Sequence, residues 1–475
     1  MTVEDAPPTS RRALREQHAG PDDVTRPTGS RTALGWVDED AVGARAVPDD
    51  LGGTTHPYRR ATADLLARRP HRSPLRAGVI VPILAVIAMT GTYAGATLLW
   101  PLYALTPTVS GAPIEDLTAP GSAISWPESG SAAVAVRGID SVAASAVDAA
   151  PMASITKLVT VLMALDEAPL ALGEDGAPFS FTRSDRAEYW DYLASDESAL
   201  DVPVGGTLTE YQLMQGILIG SAGNYADRLA STYWPTDAVF ARAAAKWLAD
   251  HGVSGITVVD PTGIDEANTA TPEGLILLAG KALAHPVVAD IVRTQSVTLP
   301  GAGEVVNTND LLADPGVIGL KTGSLAGTYN LLAAKETTVG DTMIRVIAGV
   351  LGQPNDALRD SETARLLDQV LAEVAQAQTL PAGTVAGVVT TRWGSRVEIL
   401  TDADVSAILW NGAAAATSTD LDLADAWTAD AAVGTVTLTG PLSTRTVGVH
   451  LAGDVSEPDA WWRLTHPLQL WGLAD

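Results

Sequence analysis

Residues 152–166, MASITKLVTVLMALD, decide which fold this chain can adopt. The stretch places Ser154 and Lys157 at the start of an apolar run that predicts a helix. Residues at positions i and i+3 share one face of a helix, so the Ser154 hydroxyl and the Lys157 amine can touch. A serine becomes a good nucleophile when a base removes its proton, and a lysine can be that base if burial keeps it neutral. The sequence therefore predicts Ser154 as a nucleophile and Lys157 as its general base.

A second motif, Lys321-Thr322-Gly323, lies between the apolar segments GVIGL and SLAGTYNLLAA, which predicts the inner strand of a hairpin. We expect Lys321 to lower the pKa of Lys157 by like-charge repulsion and Thr322 to hold a substrate carboxylate. Gly323 would let the substrate lie close against the strand. Only five of the 30 basic residues are lysines, so a lysine within such a motif is less easily explained by chance.

A third motif, Ser221-Ala222-Gly223-Asn224, begins at the last residue of the segment 207–221, TLTEYQLMQGILIGS. That segment predicts a helix that begins at Thr209 and has Gln212 in a capping box. The motif could supply a second hydroxyl and an amide to the same cleft.

Composition excludes several other kinds of protein. The formal net charge of −26 argues against nucleic acid and anionic lipid headgroups as partners. The absence of cysteine excludes disulfides, cysteine-ligated metal sites and thiol nucleophiles. The seven histidines form no HExxH motif. We predict no metal and no cofactor.

The N-terminal part predicts a membrane anchor. Residues 1–76 are polar and without a sustained period, which is typical of a disordered tail. Residues 77–103 carry no charge and are long enough to span a bilayer as an uncleaved signal-anchor helix. Arginines precede the span, so the tail is expected in the cytoplasm and the rest of this single-pass chain outside the cell membrane. Residues 104–121 are rich in Pro, Gly, Ser and Thr and are expected to form a linker.

Two folded regions are expected beyond the linker. Residues 122–376 mix helical and strand patterns and carry all three motifs, so they are the expected catalytic domain. Within residues 380–475, apolar and polar residues alternate with period two around turn signals, so this region is expected to form a small β-rich domain.

Together the motifs resemble the serine-type D-alanyl-D-alanine carboxypeptidases, which are low-molecular-mass penicillin-binding proteins (peptidase S11-like). The SxxK and KTG patterns are known signatures of penicillin-binding proteins and β-lactamases. The resemblance covers about residues 124–371 through five blocks in the family's order: SWPESGSAAVAV, MASITKLVTVLMALD, GILIGSAGNYADRLA, VVDPTGID and GVIGLKTGSLAGTYNLLAA. It implies an α+β, β-lactamase/transpeptidase-like catalytic domain in which helices flank an antiparallel sheet.

The resemblance also implies a reaction and a set of roles. Ser154 would attack the bond between the two terminal D-alanines of a peptidoglycan stem peptide, with Lys157 as base and Ser221 as proton relay to the leaving amine. The backbone N–H groups of Ser154 and Ser324 would form the oxyanion hole. The substrate would be bound by a further group of residues: Asn224, Lys321, Thr322, Gly323 and Arg359. β-Lactam antibiotics would be covalent inhibitors.

One position departs from the family pattern. Gapless alignment places Gly223 where the family has the asparagine of its S-x-N motif, with Asn224 one position later. Either Asn224 substitutes through a local change of the backbone, or the side-chain contact to substrate is missing. From the sequence we expect Gly223→Asn to raise activity or to leave it unchanged.

Three functions therefore stay open at the level of the sequence. The first is an active carboxypeptidase that trims wall peptides. The second is a weakly active or non-catalytic penicillin-binding homologue that binds wall peptides, for which Gly223 argues. The third is a β-lactamase-like hydrolase, which the membrane span and the additional β-rich domain make less favourable.

Overall fold

The computed structural model describes residues 76–474, so the expected disordered tail lies outside the described residues apart from Arg76. The helices are α1 Ala77–Leu98, α2 Thr156–Glu167, α3 Arg183–Ala194, α4 Glu210–Leu218, α5 Gly223–Tyr233, α6 Asp237–Asp250, α7 Pro272–Ala284, α8 Pro286–Val292, α9 Asp356–Val374, α10 Ala460–Thr465 and α11 Pro467–Leu470. Two short 3₁₀ helices cover Ala153–Ile155 and Asp310–Ala313.

Strands make up most of the remaining structure. They are β1 Thr108–Gly111, β2 Leu117–Thr118, β3 Ser131–Val136, β4 Val142–Ala144, β5 Ala150–Pro151, β6 Pro178–Ser180, β7 Thr207–Thr209, β8 Ile256–Thr257, β9 Thr269–Ala270, β10 Ser296–Leu299, β11 Gly303–Val306, β12 Val317–Leu325, β13 Thr328–Val339, β14 Thr342–Gln353, β15 Gln378–Leu380, β16 Val385–Thr390, β17 Arg396–Thr401, β18 Val405–Ala407, β19 Ala414–Leu421, β20 Ala432–Thr439 and β21 Thr444–Leu451.

The central element is a five-stranded antiparallel sheet in the order β12-β13-β14-β3-β4. Its strands are buried on both faces, which explains why β3 and β14 contain near-continuous apolar runs. Helices α2, α4, α5, α7 and α8 contribute to the core on one face. Helix α9 packs on the other face with Leu366, Leu367, Val370 and Val374, which recur at helical spacing. This is the expected α+β fold with helices on both sides of an antiparallel sheet.

The short helix α4 follows its sequence signals closely. Thr209 is its N-cap, the Thr209 hydroxyl accepts the N–H of Gln212, and the Gln212 side chain accepts the N–H of Thr209. The capping box predicted from the sequence is confirmed. The helix ends at Leu218, however, so the motif 221–224 begins in a turn and enters the next helix, α5.

The C-terminal region forms a seven-stranded antiparallel sheet in the order β1-β16-β17-β21-β20-β19-β2. The sheet encloses a core of its own, made mainly of Val, Leu and Ala side chains. Its two outermost strands, β1 and β2, come from the segment 104–121 that was expected to be a linker. That expectation was wrong for 108–111 and 117–118, because their backbone groups pair with strands about 270–300 residues later, a partnership that local composition does not show.

Helix α1 is long and apolar enough to cross a membrane, with a mean hydropathy of 1.9 in its most apolar window. It ends at Leu98, so the last five residues of the expected span, 99–103, are not helical. The C-terminal helix α10 contacts the last turns of α1 and the residues just after it: the Tyr93 hydroxyl donates to the Leu464 carbonyl at 2.5 Å, and Arg463 donates to the Trp100 carbonyl at 2.8 Å.

Candidate active site

Ser154 lies in the 3₁₀ turn that leads into α2, half-buried at the wall of a cavity. The preceding residue, Ala153, has a φ of 52°, an uncommon conformation for a residue with a side chain. Such strain persists where the surroundings over-determine it and is frequent at functional sites. Here the N–H of Met152 donates to the Asn268 carbonyl, and Asn330 donates to the Pro151 carbonyl. The turn that carries Ser154 is thereby held in place from two sides.

Lys157 contacts Ser154 directly. Its amine nitrogen lies 2.8 Å from the Ser154 hydroxyl oxygen and 2.6 Å from the Thr262 carbonyl oxygen. The residue is only 2% exposed. Burial lowers the pKa of Lys157 to about 8, although the carboxylates of Asp260, Asp227 and Glu197 act to raise it. A substantial fraction of this amine can therefore be neutral near physiological pH and able to accept a proton.

The turn 260–265 presents the Thr262 carbonyl to Lys157. The Asp260 carboxylate accepts the backbone N–H groups of Thr262, Gly263 and Asp265, the first two at 2.7 Å. Burial acts against ionisation of Asp260, but these hydrogen bonds outweigh it and lower its pKa. Gly263 has a φ of 82°, and a Cβ there would lie 2.0 Å from the Ala153 carbonyl oxygen. This turn therefore packs directly against the turn of the nucleophile.

Lys321 is 1% exposed, and its amine donates to the Thr322 carbonyl at 3.1 Å. Its pKa is lowered well below the ordinary value, first by burial and then by the positive charges of Lys157 and Arg359. Burial is the main cause that lowers the pKa of Lys157. Repulsion between the two amines is the second cause, after burial, of the lowered pKa of Lys321, and its effect on Lys157 stays a prediction.

Thr322 lies beside Lys321, and its hydroxyl oxygen is 2.6 Å from that of Thr308. Thr308 follows strand β11, and its backbone N–H donates to the Ile219 carbonyl. Thr308 could not be predicted from the sequence, because no recognisable motif surrounds it and the contact joins two separate elements.

Gly323 is close-packed, but against a different group from the one expected. A Cβ at this position would lie 2.6 Å from the Met152 carbonyl oxygen and 3.3 Å from the Ser154 nitrogen. That Gly323 also lets a substrate lie close against the strand stays a prediction. Its missing side chain lets β12 lie directly against the backbone of the nucleophile's turn.

Ser221 is buried and has a φ of 58° in the turn between α4 and α5. The described residues show no hydrogen bond between Ser221 and Lys157. The Asn224 side chain is occupied elsewhere: it donates to the Leu200 carbonyl at 2.9 Å and accepts the Leu200 N–H at 3.1 Å. Both ends of its amide thus hold the segment 195–200, and the expected contact of Asn224 with substrate stays a prediction.

Gly223 faces a space that is already filled. A Cβ there would lie 2.5 Å from a ring carbon of Tyr192 and 3.3 Å from the Ser198 carbonyl oxygen. The Tyr192 hydroxyl is hydrogen-bonded to Asp227, which fixes the ring. This contact argues against the expectation that Gly223→Asn raises activity or leaves it unchanged, and the sequence did not indicate that Tyr192 approaches this position.

Arg359 lies in the first turn of α9 and is buried, and its charge reaches Lys321. Its guanidinium is paired with two carboxylates of its own helix, Asp356 and Asp360, the latter at 2.8 Å. The contacts that the structure shows for Arg359 are thus intramolecular, and its contact with a substrate carboxylate stays a prediction.

The cavity beside Ser154 has a volume of 330 Å³. Its wall includes Lys157, the segment 195–198, Gly263 and Ile264, and the residues around the β12–β13 turn, which are 324–327 and Tyr329. Ser324 is exposed here, next to the nucleophile. Glu197 was not singled out from the sequence, because it belongs to a polar loop between helices and only the fold places it at the cavity.

The chain was compared with known proteins. The sequence profile of the D-alanyl-D-alanine carboxypeptidase family, peptidase S11, matches residues 143–355. No curated protein matches. Among solved structures, the Streptomyces K15 DD-transpeptidase is 23% identical over 52% of this chain and 100% of its own, with a TM-score of 0.46. Penicillin-binding protein 5 from Haemophilus influenzae is 19% identical over 70% and 100%, with a TM-score of 0.48. The carboxypeptidase DacD from Francisella tularensis is 16% identical over 73% and 97%, with a TM-score of 0.47.

The profile match spans all three motifs, from the turn of Ser154 through residues 221–224 to the strand of Lys321. Residues 143–355, which carry Ser154, Lys157 and Lys321, therefore match the sequence profile of the D-alanyl-D-alanine carboxypeptidase family.

Proposed function

We propose that the protein is a membrane-anchored serine carboxypeptidase that removes the terminal D-alanine from peptidoglycan stem peptides. The observation that carries the proposal is the hydrogen bond between the buried Lys157 amine and the Ser154 hydroxyl, with a lowered lysine pKa. A neutral amine at that distance can take the hydroxyl proton as the oxygen attacks.

The reaction proceeds in two steps. In the first, the Ser154 proton passes to Lys157 and the oxygen bonds to the carbonyl carbon of the penultimate D-alanine. The oxyanion is held by the N–H groups of Ser154 and Ser324, each worth about 3 kcal/mol in comparable enzymes. The C–N bond then breaks, and the proton passes from Lys157 through Ser221 to the departing amine of D-alanine. In the second step, water attacks the ester, and the proton that it loses returns to Ser154.

The terminal carboxylate of the substrate would bind near Lys321 and Thr322. Lys321 is buried, and its pKa is lowered by burial and neighbouring positive charges. An arriving carboxylate would reverse that effect, because an anion favours the ammonium form. The Thr322 and Thr308 hydroxyls are hydrogen-bonded to each other at 2.6 Å, which leaves one hydroxyl proton free to donate at the same place. Arg359 contributes positive charge from behind Lys321.

The membrane anchor is helix α1. At 1.5 Å per residue its 22 residues measure about 33 Å, which matches the apolar thickness of a bilayer. We infer that the tail lies in the cytoplasm and that the catalytic region faces the cell wall, because arginines concentrate on the N-terminal side of the helix. β-Lactams, which resemble the substrate's terminus, would acylate Ser154.

The second candidate is a weakly active homologue that binds wall peptides. The observation in its favour is that Tyr192 occupies the space beside Gly223 while Asn224 is bound to Leu200, so the motif offers no asparagine amide to a substrate.

One experiment separates the two. The full chain in detergent is incubated with a pentapeptide that ends in D-alanyl-D-alanine, and free D-alanine is assayed beside labelling by a fluorescent penicillin. The proposal expects D-alanine release and labelling, both abolished in Ser154→Ala. Labelling without release would favour the second candidate, and no labelling of the wild type would refute the proposed nucleophile.

A further inference from the structure

The segment 195–198 forms one wall of the Ser154 cavity and carries Glu197. Residues 324–327, which line the same cavity, have no charged side chain. Among the described residues, the Glu197 carboxylate makes neither a salt bridge nor a side-chain hydrogen bond. An unpaired carboxylate at the wall of a cavity that binds substrate attracts cations and repels anions.

The segment is held firmly to the helices behind it. The Glu197 N–H donates to the Tyr192 carbonyl at 3.0 Å, and the Gly223 N–H donates to the Ser198 carbonyl at 2.8 Å. Two further hydrogen bonds join Leu200 to the Asn224 amide. The carboxylate is therefore carried by a fixed loop, and a ligand that binds it does not have to order that loop first.

The nearby lysine, Lys157, does not form an ion pair with the Glu197 carboxylate. The Lys157 amine is bound to Ser154 and to the Thr262 carbonyl, and no salt bridge joins it to Glu197 within the described chain. The two groups are nevertheless near enough that Glu197 acts to raise the pKa of Lys157, and Lys157 acts to lower that of Glu197 against the larger effect of burial. Glu197 thus lies close to the reacting atoms without belonging to the base.

The direction of β12 tells which part of a substrate would meet Glu197. Along this strand, Lys321 and Thr322 come before Gly323, which lies against Ser154, and the cavity residues 324–327 come after it. If the terminal carboxylate binds at Lys321 and Thr322, the acyl part of the substrate extends toward 324–327. The loop of Glu197 lines the same cavity as residues 324–327.

We propose that Glu197 forms an ammonium-binding subsite, so that the enzyme prefers substrates with a free primary amine on the acyl side of the bond that Ser154 attacks. This inference rests on the proposed carboxypeptidase function. Its ligand class is a peptide with a cationic side chain upstream of the D-alanyl-D-alanine terminus.

The test uses two matched pairs of ligands with the full chain. One pair is a D-alanyl-D-alanine pentapeptide with lysine as third residue, either free or acetylated at its side-chain amine. The other is ampicillin, which carries an ammonium on its acyl side chain, and benzylpenicillin, which carries none, compared at about pH 6 where the ammonium is charged. For each enzyme variant, the rate constant for the amine-bearing ligand is divided by that for its partner ligand. A change in the ionisation of Lys157 affects both rate constants equally and cancels from this ratio.

We expect the wild type to favour the amine-bearing ligand by about two- to fivefold in each pair, as for an ion pair at a partly exposed site. Glu197→Gln should bring both ratios close to one. Glu398→Gln, an exposed carboxylate on β17 of the C-terminal sheet, should keep the wild-type ratios.

The outcomes separate the two proposals. If neither penicillin acylates the wild type, the proposed function fails. If both acylate it and the ratios are the same in Glu197→Gln, only the subsite is refuted. A variant with unchanged ratios whose acyl-enzyme breaks down more slowly would also refute the subsite and would assign Glu197 to the hydrolytic step instead.

Discussion

At the scale of single residues, the ionisation of Lys157 governs the chemistry. Its amine has to be neutral to accept the Ser154 proton, and burial lowers its pKa to about 8. Because the charged form is the inactive one, activity is lost as the pH falls below this value and is gained as the pH rises through it. In the proposed function Lys321 would have the opposite task, because an anionic substrate would favour its charged form.

The pH dependence of acylation tests this assignment. The rate of labelling by benzylpenicillin should fall about tenfold for each pH unit below pH 8 and level off above it, as expected for a single essential base. Stopped-flow measurement of the acylation rate across this range checks the prediction. A rate that is flat through the same range would show that the Lys157 amine does not limit the step.

Gly223 supports a second prediction at this scale. Gly223→Asn should slow acylation and lower the free energy of unfolding by about 1–3 kcal/mol, because its Cβ collides with the Tyr192 ring. In a Tyr192→Ala background the same Gly223→Asn substitution should cost less stability, because the ring is gone. The double variant Tyr192→Ala/Gly223→Asn is therefore compared with Tyr192→Ala, since both lack the Asp227 hydrogen bond. Thermal unfolding and penicillin labelling of the three variants test this prediction. A Gly223→Asn variant as stable as the wild type would contradict the steric argument.

At the scale of elements, the site depends on how closely β12 approaches the turn before α2. Gly323 faces the Met152 carbonyl, and Gly263 faces the Ala153 carbonyl, so the nucleophile's turn lies between two backbones without intervening side chains. This packing brings β12, the strand that carries Lys321 and Thr322, against the turn of Ser154 from a distant part of the chain.

Gly323→Ala tests this packing. The added methyl group would lie 2.6 Å from a backbone oxygen that cannot rotate away, so either the strand or the turn has to shift. We expect a loss of about 1–3 kcal/mol in unfolding free energy, together with slower acylation. Gly280→Ala in α7, which meets no atom within 4 Å, is the matched control and should be neutral or stabilising. Equal behaviour of the two variants would show that the close approach is unimportant.

The elements also show what the sequence could and could not predict. Helix α4 was predicted with its capping box, since the signals Thr209 and Gln212 lie within one turn. The pair Ser154–Lys157 was placed together for the same reason. Local patterns could not place Glu197, Tyr192 or Thr308 at the site, because each arrives there through contacts with residues far along the chain. The strands within 104–121 were missed for the same physical reason.

At the scale of the whole molecule, the proposed function requires that α1 crosses the membrane and that the catalytic region faces the cell wall. The chain contains no cysteine, so a single introduced cysteine reports the side on which it lies without any other substitution. Met343 and Val306 are both well exposed on the catalytic region and suit this purpose. Ala13 belongs to the N-terminal tail.

We expect a membrane-impermeant maleimide to label Met343→Cys and Val306→Cys in right-side-out membrane vesicles. Ala13→Cys should be labelled only after the vesicles are permeabilised, because arginines before α1 keep the tail in the cytoplasm. Labelling after denaturation in detergent controls for the amount of each protein. The reverse pattern, with Ala13→Cys labelled in sealed vesicles, would place Ser154 in the cytoplasm, away from the cell wall. A protein oriented that way could not trim wall peptides even with an intact pair of Ser154 and Lys157, so this measurement tests the function independently of the chemistry.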